Sequence, residues 1–385
     1  MADTSYLFGD DEIDGWGQRY FFTFFSEFGD RGNVPYIEAA VLVATLVISV
    51  ISNLFIIIAV LRYRQLLKLP NYFVVNLAAA DLVFALGIPI IAYARVTHEW
   101  LLGPWVCRIL PYTQFVCGFV LLWTLTLISI DRHRCLCVPP YRSPLNAERA
   151  GLCCLATWII AAILFIPVPV WFREQEAYSG QKICTMVFPR SPSINISLAF
   201  TLPTVLLAAV LPMATLVHHY YSIFKKIRSL RTRWLSSMSK LPSPNEEQRL
   251  SRHVRVVRLL VLNVLLVLSM WTPITLVVGL IYMDGRRENA DTHFFLRSHH
   301  FIWALQIALL STIVNPILYG LLSDHFRTCL KKIHSLSKRK KALSRDFLNT
   351  DGTLSRSPKP ALSTEKDGHP RTRADSLASH QILAV

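Results

Sequence analysis

Charge is scarce in this sequence. Only 17% of its 385 residues are Asp, Glu, Lys or Arg, while 52% are hydrophobic, which excludes an ordinary water-soluble globular protein. Acidic residues are scarcer still, 25 against 40 basic ones, for a formal net charge of +15. Chemical signatures are missing as well. There is no GxSxG, no HExxH and no glycine-rich phosphate loop, so no catalytic set is present and no enzyme is expected. No CxxC pair or Cys/His spacing suggests zinc, and neither a metal nor a cofactor is expected. No internal repeat and no paired broken helices are visible, which disfavours a transporter. No cleavable signal peptide is expected, because the first 35 residues are acidic and aromatic.

What the chain has instead is long apolar runs. A bilayer core about 30 Å thick takes roughly 20 apolar residues per helix. Seven such runs occur, near 37–62, 71–95, 105–136, 151–171, 197–224, 255–282 and 300–322. The third and fifth carry Pro111, Gln114, Pro203 and Pro212; proline is tolerated in membrane helices. The expected fold is an all-α membrane protein, a seven-transmembrane helix bundle. Basic residues concentrate after runs one, three, five and seven, from Arg62 and Arg64 to the KRKK run at Lys338–Lys341. The N-terminus instead holds Asp10, Asp11, Glu12 and Asp14. The bias places the N-terminus outside and the C-terminus inside. The positive charge is then a cytoplasmic-face feature scattered between spans, not a nucleic-acid footprint.

The runs divide the chain into an outer tail (1–36), a membrane bundle (37–322), a short amphipathic eighth helix (323–334) and a disordered cytoplasmic tail (335–385). The eighth helix puts Phe326, Cys329, Leu330 and Ile333 on one face, suited to the inner membrane surface, where Cys329 is a candidate for acylation. The tail is rich in Ser, Thr, Lys and Arg. Cys107 and Cys184 both fall on the oxidising outer side, where disulfides persist. The other six cysteines read as small buried residues or lipid-facing thiols. Asn195 heads an N-x-S sequon at the membrane entry of run five and is expected to be glycosylated at most in part.

Polar residues inside a membrane are costly, so each is a functional candidate. Asn53, Asp81, Trp158 and the Asn315-Pro316 pair lie within runs, and Asp131-Arg132 ends run three. The stretches NLAAAD (Asn76–Asp81), DRH (Asp131–His133), MWTP (Met270–Pro273) and NPILY (Asn315–Tyr319) surround them, with Pro212 and Tyr220 in run five. Over roughly residues 35–335 the chain resembles a rhodopsin-like (class A) G-protein-coupled receptor. The resemblance implies a Cys107–Cys184 disulfide and a set of switch residues. Trp271 and Pro273 form a bend that couples the outer cavity to the inner half. Asp131 restrains Arg132 by an ion pair at rest. Asn315, Pro316, Tyr319 and Tyr220 rearrange as run six moves. Asp81 matches a sodium-binding position, although Leu121 replaces the usual hydroxyl partner. It also implies a heterotrimeric G protein and arrestin as partners, at the plasma membrane. Ser355, Ser357, Ser363, Thr364, Ser376 and Ser379 are the tail's candidate phosphate acceptors.

Within that class the chain most resembles the long-chain free fatty acid (omega-3) receptor. The matching stretches are RVTHEWLLGP (Arg95–Pro104), KICTMVFP (Lys182–Pro189), MWTPI (Met270–Ile274) and FIW (Phe301–Trp303), with Thr204 and Ile302 in place of aromatic residues. This likeness implies Arg95 as a carboxylate clamp and Trp100 as a cap. The pocket wall would be Gln114, Phe115, Gly118, Phe200, Thr204, Trp271, Phe301 and Trp303. An Arg fork pairs a carboxylate bidentately, and an apolar chain contributes about 0.8 kcal/mol per buried CH₂. Read from the residues alone, Arg95 has two further roles open to it: an interfacial position, or pairing with Glu38 or Glu99. Gln114 offers no counter-ion to an amine ligand, and Leu309 stands where an opsin needs its Schiff-base lysine. The expected function is sensing of medium- or long-chain free fatty acids, signalled through Gq/11-class proteins. The alternative is a receptor for a peptide or another lipid, since the acidic, aromatic outer tail suits a basic peptide.

Overall fold

The computed structural model describes residues 20–21, 33–62, 69–97, 99–141, 143, 145–176, 182–189, 196–236, 261–262, 265–277 and 298–322. Six of its helices are long and apolar enough to cross a bilayer, and a shorter apolar helix lies in the sixth run. The first span is α1 (Val34–Arg62). The second is α2 (Leu69–Ala85) and α3 (Ile88–Thr97), interrupted at Leu86-Gly87. Pro89 lies four residues after Ala85 and offers its carbonyl no amide hydrogen, so the helical ladder breaks there. The amide of Gly87 turns back to Phe84 O at 3.3 Å instead.

The third span, α4 (Gly103–Cys137), is 35 residues and roughly 52 Å long at 1.5 Å per residue. Proline in its first turn wastes no hydrogen bond there. The fourth is α5 (Ala147–Leu164) and α6 (Pro167–Trp171); the Asn146 side chain caps α5 by accepting from the Arg149 amide at 2.8 Å. The fifth begins as α7 (Ile196–Val205), passes through one π-helical turn at Leu206–Val210 and continues as α8 (Leu211–Ser236). The sixth is α9 (Leu265–Val277) and the seventh α10 (Ser298–Leu322).

The π turn has a legible chemical cause. The Leu211 amide donates to Leu206 O, five residues back. In that register the next carbonyl, Leu207 O, should receive residue 212, which is proline and has no amide hydrogen. The orphaned carbonyl is met from the third span, where the Trp123 indole Nε1 donates to it at 3.0 Å.

An all-α expectation omits one element. A three-stranded antiparallel sheet of order β1-β3-β2 covers the outer end, made of β1 (Tyr20–Phe21), β2 (Phe172–Glu176) and β3 (Lys182–Val187). Its hairpin pairs Phe172 with Met186 and Glu174 with Cys184. The Cys107–Cys184 disulfide ties β3 to the start of α4, as the class resemblance implied. Polar ties cross the bundle. Asn53 Nδ2 donates to Thr312 O at 2.9 Å, linking α1 to α10, and Gln306 Nε2 donates to Thr45 Oγ1 at 2.7 Å. Asn76 Nδ2 donates to Thr124 Oγ1 at 2.8 Å while its Oδ1 accepts from the Trp158 indole at 2.9 Å, joining α2, α4 and α5. The expected eighth helix, the cytoplasmic tail, Cys329, Asn195 and most of the outer tail lie outside the described residues.

Candidate functional site

The outer half of the bundle holds a cavity of about 160 Å³ between the third, fifth, sixth and seventh spans. Gln114, Phe115, Gly118, Thr204, Trp271 and Phe301, all expected in the ligand set, line it. Trp271 stacks on Phe84 with ring centroids 6.0 Å apart. Gly118 admits that indole, since a Cβ there would meet its ring at 3.2 Å. Phe115 and Phe119 both pack against Phe165, at 5.3 and 6.1 Å.

Sequence reasoning stopped short on α4. Pro111, Phe119 and Leu122 also line the cavity. They extend the stripe of Gln114, Phe115 and Gly118 at helical spacing, so the periodicity alone could have found them. Phe84 lies one turn after Asp81 on the buried face of α2, whereas Phe165 and Ala208 sit at the interruptions of the fourth and fifth spans.

The remaining expected ligand residues are elsewhere. Trp303 is 38% exposed and is not part of the cavity wall. Phe200 packs edge-on against Trp171 at 5.1 Å, away from the cavity. Trp100 is buried, but its indole donates to Gly103 O at 3.0 Å and its amide to Lys182 O at 2.8 Å; it anchors the outer sheet. Arg95 departs furthest from the clamp role. It is 1% exposed, and its Nε and Nη2 donate to Glu38 Oε2 at 2.9 and 2.6 Å. Of the roles open to it, pairing with Glu38 is the one the structure takes. A ligand carboxylate at that place would have to displace a carboxylate already bound.

Among the described residues the cavity wall contains no Asp, Glu, Lys, Arg or His. Its polar groups are Gln114, Thr204, Thr275 and the Trp271 indole. Gln114 Nε2 donates to Phe84 O at 3.0 Å, the carbonyl at the break between α2 and α3. Gln114 Oε1 is buried with no hydrogen-bond partner.

Deeper in the bundle, Asn315 Nδ2 donates to Asp81 Oδ2 at 3.2 Å. Asp81 Oδ1, Asn53 Oδ1 and Asn315 Oδ1 are buried without partners, and Leu121 is buried beside the third-span core. Among the described residues no group of three or more His, Cys, Asp or Glu could hold a metal ion. Tyr220 is buried, Pro212 follows the π turn, and Pro273, Pro316 and Tyr319 lie in α9 and α10.

At the inner end the expected Asp131–Arg132 ion pair is replaced. The Ser143 hydroxyl of the second inner loop donates to Asp131 Oδ1, and Asp131 is 4% exposed. Among the described residues the Arg95–Glu38 contact is the ion pair present. The loop, folded over Asp131, supplies a neutral donor where the sequence offered a charged neighbour. Beside it, His133 and His219 stack across the third and fifth spans at 4.9 Å, and His219 Nδ1 lies 3.1 Å from Ser129 Oγ.

Residues 52–319 match the family described as the 7 transmembrane receptor (rhodopsin family). The chain belongs to that family: it is a multi-pass plasma-membrane receptor of the G-protein-coupled class, a receptor and not an enzyme. Similar proteins include the somatostatin receptor type 1 of Rattus norvegicus, 26% identical over 74% of this chain and 68% of that one. The neuropeptide Y receptor type 2 of Macaca mulatta is 28% identical over 73% of this chain and 72% of its own. That of Mus musculus is 26% identical over 84% and 82%. These relatives support the class and do not support the likeness to a fatty acid receptor.

Proposed function

We propose that this receptor recognises a peptide, one of whose side chains enters the cavity between the third, fifth, sixth and seventh spans. The observation that carries the reading is the cavity's size and neutrality. At about 160 Å³ it lies below the roughly 300–1,000 Å³ of sites that enclose a drug-sized ligand. It suits one inserted side chain of a ligand whose remainder rests on the outer loops. The described residues of the wall offer no counter-ion to a fatty acid head group, and Arg95 is engaged with Glu38. The relatives named above, receptors for somatostatin and neuropeptide Y, support the same direction. Agonist binding acts by its preference for the active arrangement of the switch residues.

Gq/11-class coupling and arrestin recruitment belong to the proposal too, supported by the basic inner segments and the Ser-rich tail. The test is a screen in cells expressing the receptor, with calcium, cyclic-AMP and arrestin readouts. Synthetic peptides with aromatic or aliphatic ends should activate it, and Gly118→Ala, which narrows the cavity, should weaken them. Activation by oleate alone, with every peptide silent, overturns the reading and restores the fatty acid one.

A further inference from the structure

Ser143 ties the second inner loop to the bundle through one hydroxyl. Its Oγ donates to Asp131 Oδ1 and accepts from the Leu145 amide at 3.2 Å. Asp131 is buried and Ser143 half-buried, while Tyr141 before it and Asn146–Arg149 after it are exposed. The loop thus lies at the surface, on the side that the basic residues assign to the cytoplasm. ATP and protein kinases are on that side.

The sequence around the hydroxyl is Arg142-Ser143-Pro144. A proline after the acceptor serine is what proline-directed kinases read. It offers no amide hydrogen and biases the serine before it towards an extended backbone. The same triplet recurs in the tail as Arg356-Ser357-Pro358.

Phosphorylation would reverse the contact at the atom that makes it. The hydrogen that Ser143 gives to Asp131 is replaced by a phosphoryl group of charge about −1.5 to −2 at pH 7, rich in acceptor oxygens. A carboxylate likewise only accepts. Two anions then face each other where burial strengthens their repulsion. Lys226 Nζ lies 5.8 Å from the centre of the Tyr141 ring. It brings a cation to the same loop and gives the phosphate another partner.

We propose that Ser143 is a phosphorylation site for a proline-directed protein kinase, and that its phosphate releases the second inner loop from Asp131 and lowers coupling to the G protein. In the transfer, Ser143 Oγ bonds to the γ-phosphorus of ATP as the bond to the ADP oxygen breaks. The hydroxyl proton leaves through the kinase's base. Ser143 must part from Asp131 to meet the kinase, so modification captures the released loop and holds it. The freed carboxylate turns to Arg132, its neighbour in sequence, and the population shifts away from the coupling-competent state.

The test treats full-length purified receptor with ATP, Mg²⁺ and a mitogen-activated protein kinase, a proline-directed enzyme. Site-resolved mass spectrometry should find phosphate on Ser143 as well as on Ser357, which reports that the kinase worked. Amide hydrogen exchange over residues 138–149 should lose protection, and basal nucleotide exchange on added G protein should fall. Pro144→Ala keeps the hydroxyl, so the untreated variant should match wild type, while Ser143 stays unmodified by the kinase. Asp131→Asn separates repulsion from mere bulk, because its side-chain amide can donate to the phosphate. There Ser143 should still be modified, with neither the loop's protection nor the basal exchange changed by the kinase. Unmodified Ser143 beside fully modified Ser357 overturns the site. Phosphate on Ser143 that leaves the loop protected, or that raises basal exchange, overturns the switch. Equal loss of protection in Asp131→Asn overturns it too.

Discussion

Arg95 and Glu38 are two charged side chains held almost wholly out of water, at 1% and 2% exposure. The two contacts that Arg95 makes to Glu38 converge on one oxygen, Oε2, and Glu38 Oε1 has no hydrogen-bond partner. Such a pair is no large source of stability, because desolvation offsets most of the attraction. Removing one partner is another matter, since it strands a buried charge at a cost of about 3–5 kcal/mol. Arg95→Ala should therefore lower the melting temperature of the solubilised receptor and its amount at the cell surface. Glu38→Ala should do the same. Replacing both by leucine should recover most of the loss, because no charge is then stranded. An Arg95→Ala receptor with wild-type surface level and melting temperature refutes a structural role for the pair.

At the scale of the element, the fifth span shows how one proline propagates. Pro212 withholds an amide, the helix takes up a π turn, and a carbonyl is left for Trp123 on a neighbouring span. Trp123→Phe keeps the ring and removes the donor, so it should destabilise by about 1–3 kcal/mol, read as a lower melting temperature. In a Pro212→Ala background residue 212 has an amide to offer Leu207 O. The penalty for Trp123→Phe should shrink there, and equal penalties in both backgrounds contradict the shared-carbonyl account. The seven spans were legible in the sequence because a run of about 20 apolar residues has few alternatives. Their internal breaks were not. Pro89 and Pro212 were visible, but their consequences depend on which neighbouring donors can reach the carbonyls they leave unmet. The outer hairpin was missed for a similar reason: FREQE and KICTMV become strands through pairing with each other and the bond from Cys184 to Cys107. On the site, the α4 positions followed from helical spacing. For Arg95 the sequence left the clamp and the Glu38 pair both open, because that partner lies 57 residues away.

Across the whole molecule, the inner face lacks the lock that the DRH stretch suggested. Asp131 is engaged by Ser143, which leaves Arg132 without that ion pair. Ser143→Ala would free the Asp131 carboxylate to turn to Arg132, its neighbour in sequence. Basal signalling at matched surface expression should then fall. Asp131→Asn cannot form the ion pair and should not show that fall. A rise in basal signal with Ser143→Ala would mean that the loop contact, and not an Arg132 pair, restrains the resting receptor.

The neutral cavity wall also bears on how fast a ligand arrives. Charged clefts gather oppositely charged ligands through long-range fields, and their association rates drop as salt screens those fields. Among the described residues no charged side chain lies on the cavity wall, so the wall itself adds no such pull on the group that enters it. Entry of a neutral probe such as indole should proceed without steering, at a rate flat between low and high ionic strength. Its burial should show instead as a negative heat-capacity change. Stopped-flow or calorimetric titration over a salt series would expose any hidden electrostatic guidance as a falling rate. A receptor built this way discriminates by residence time, through departure of a ring from its aromatic walls, and not by speed of capture.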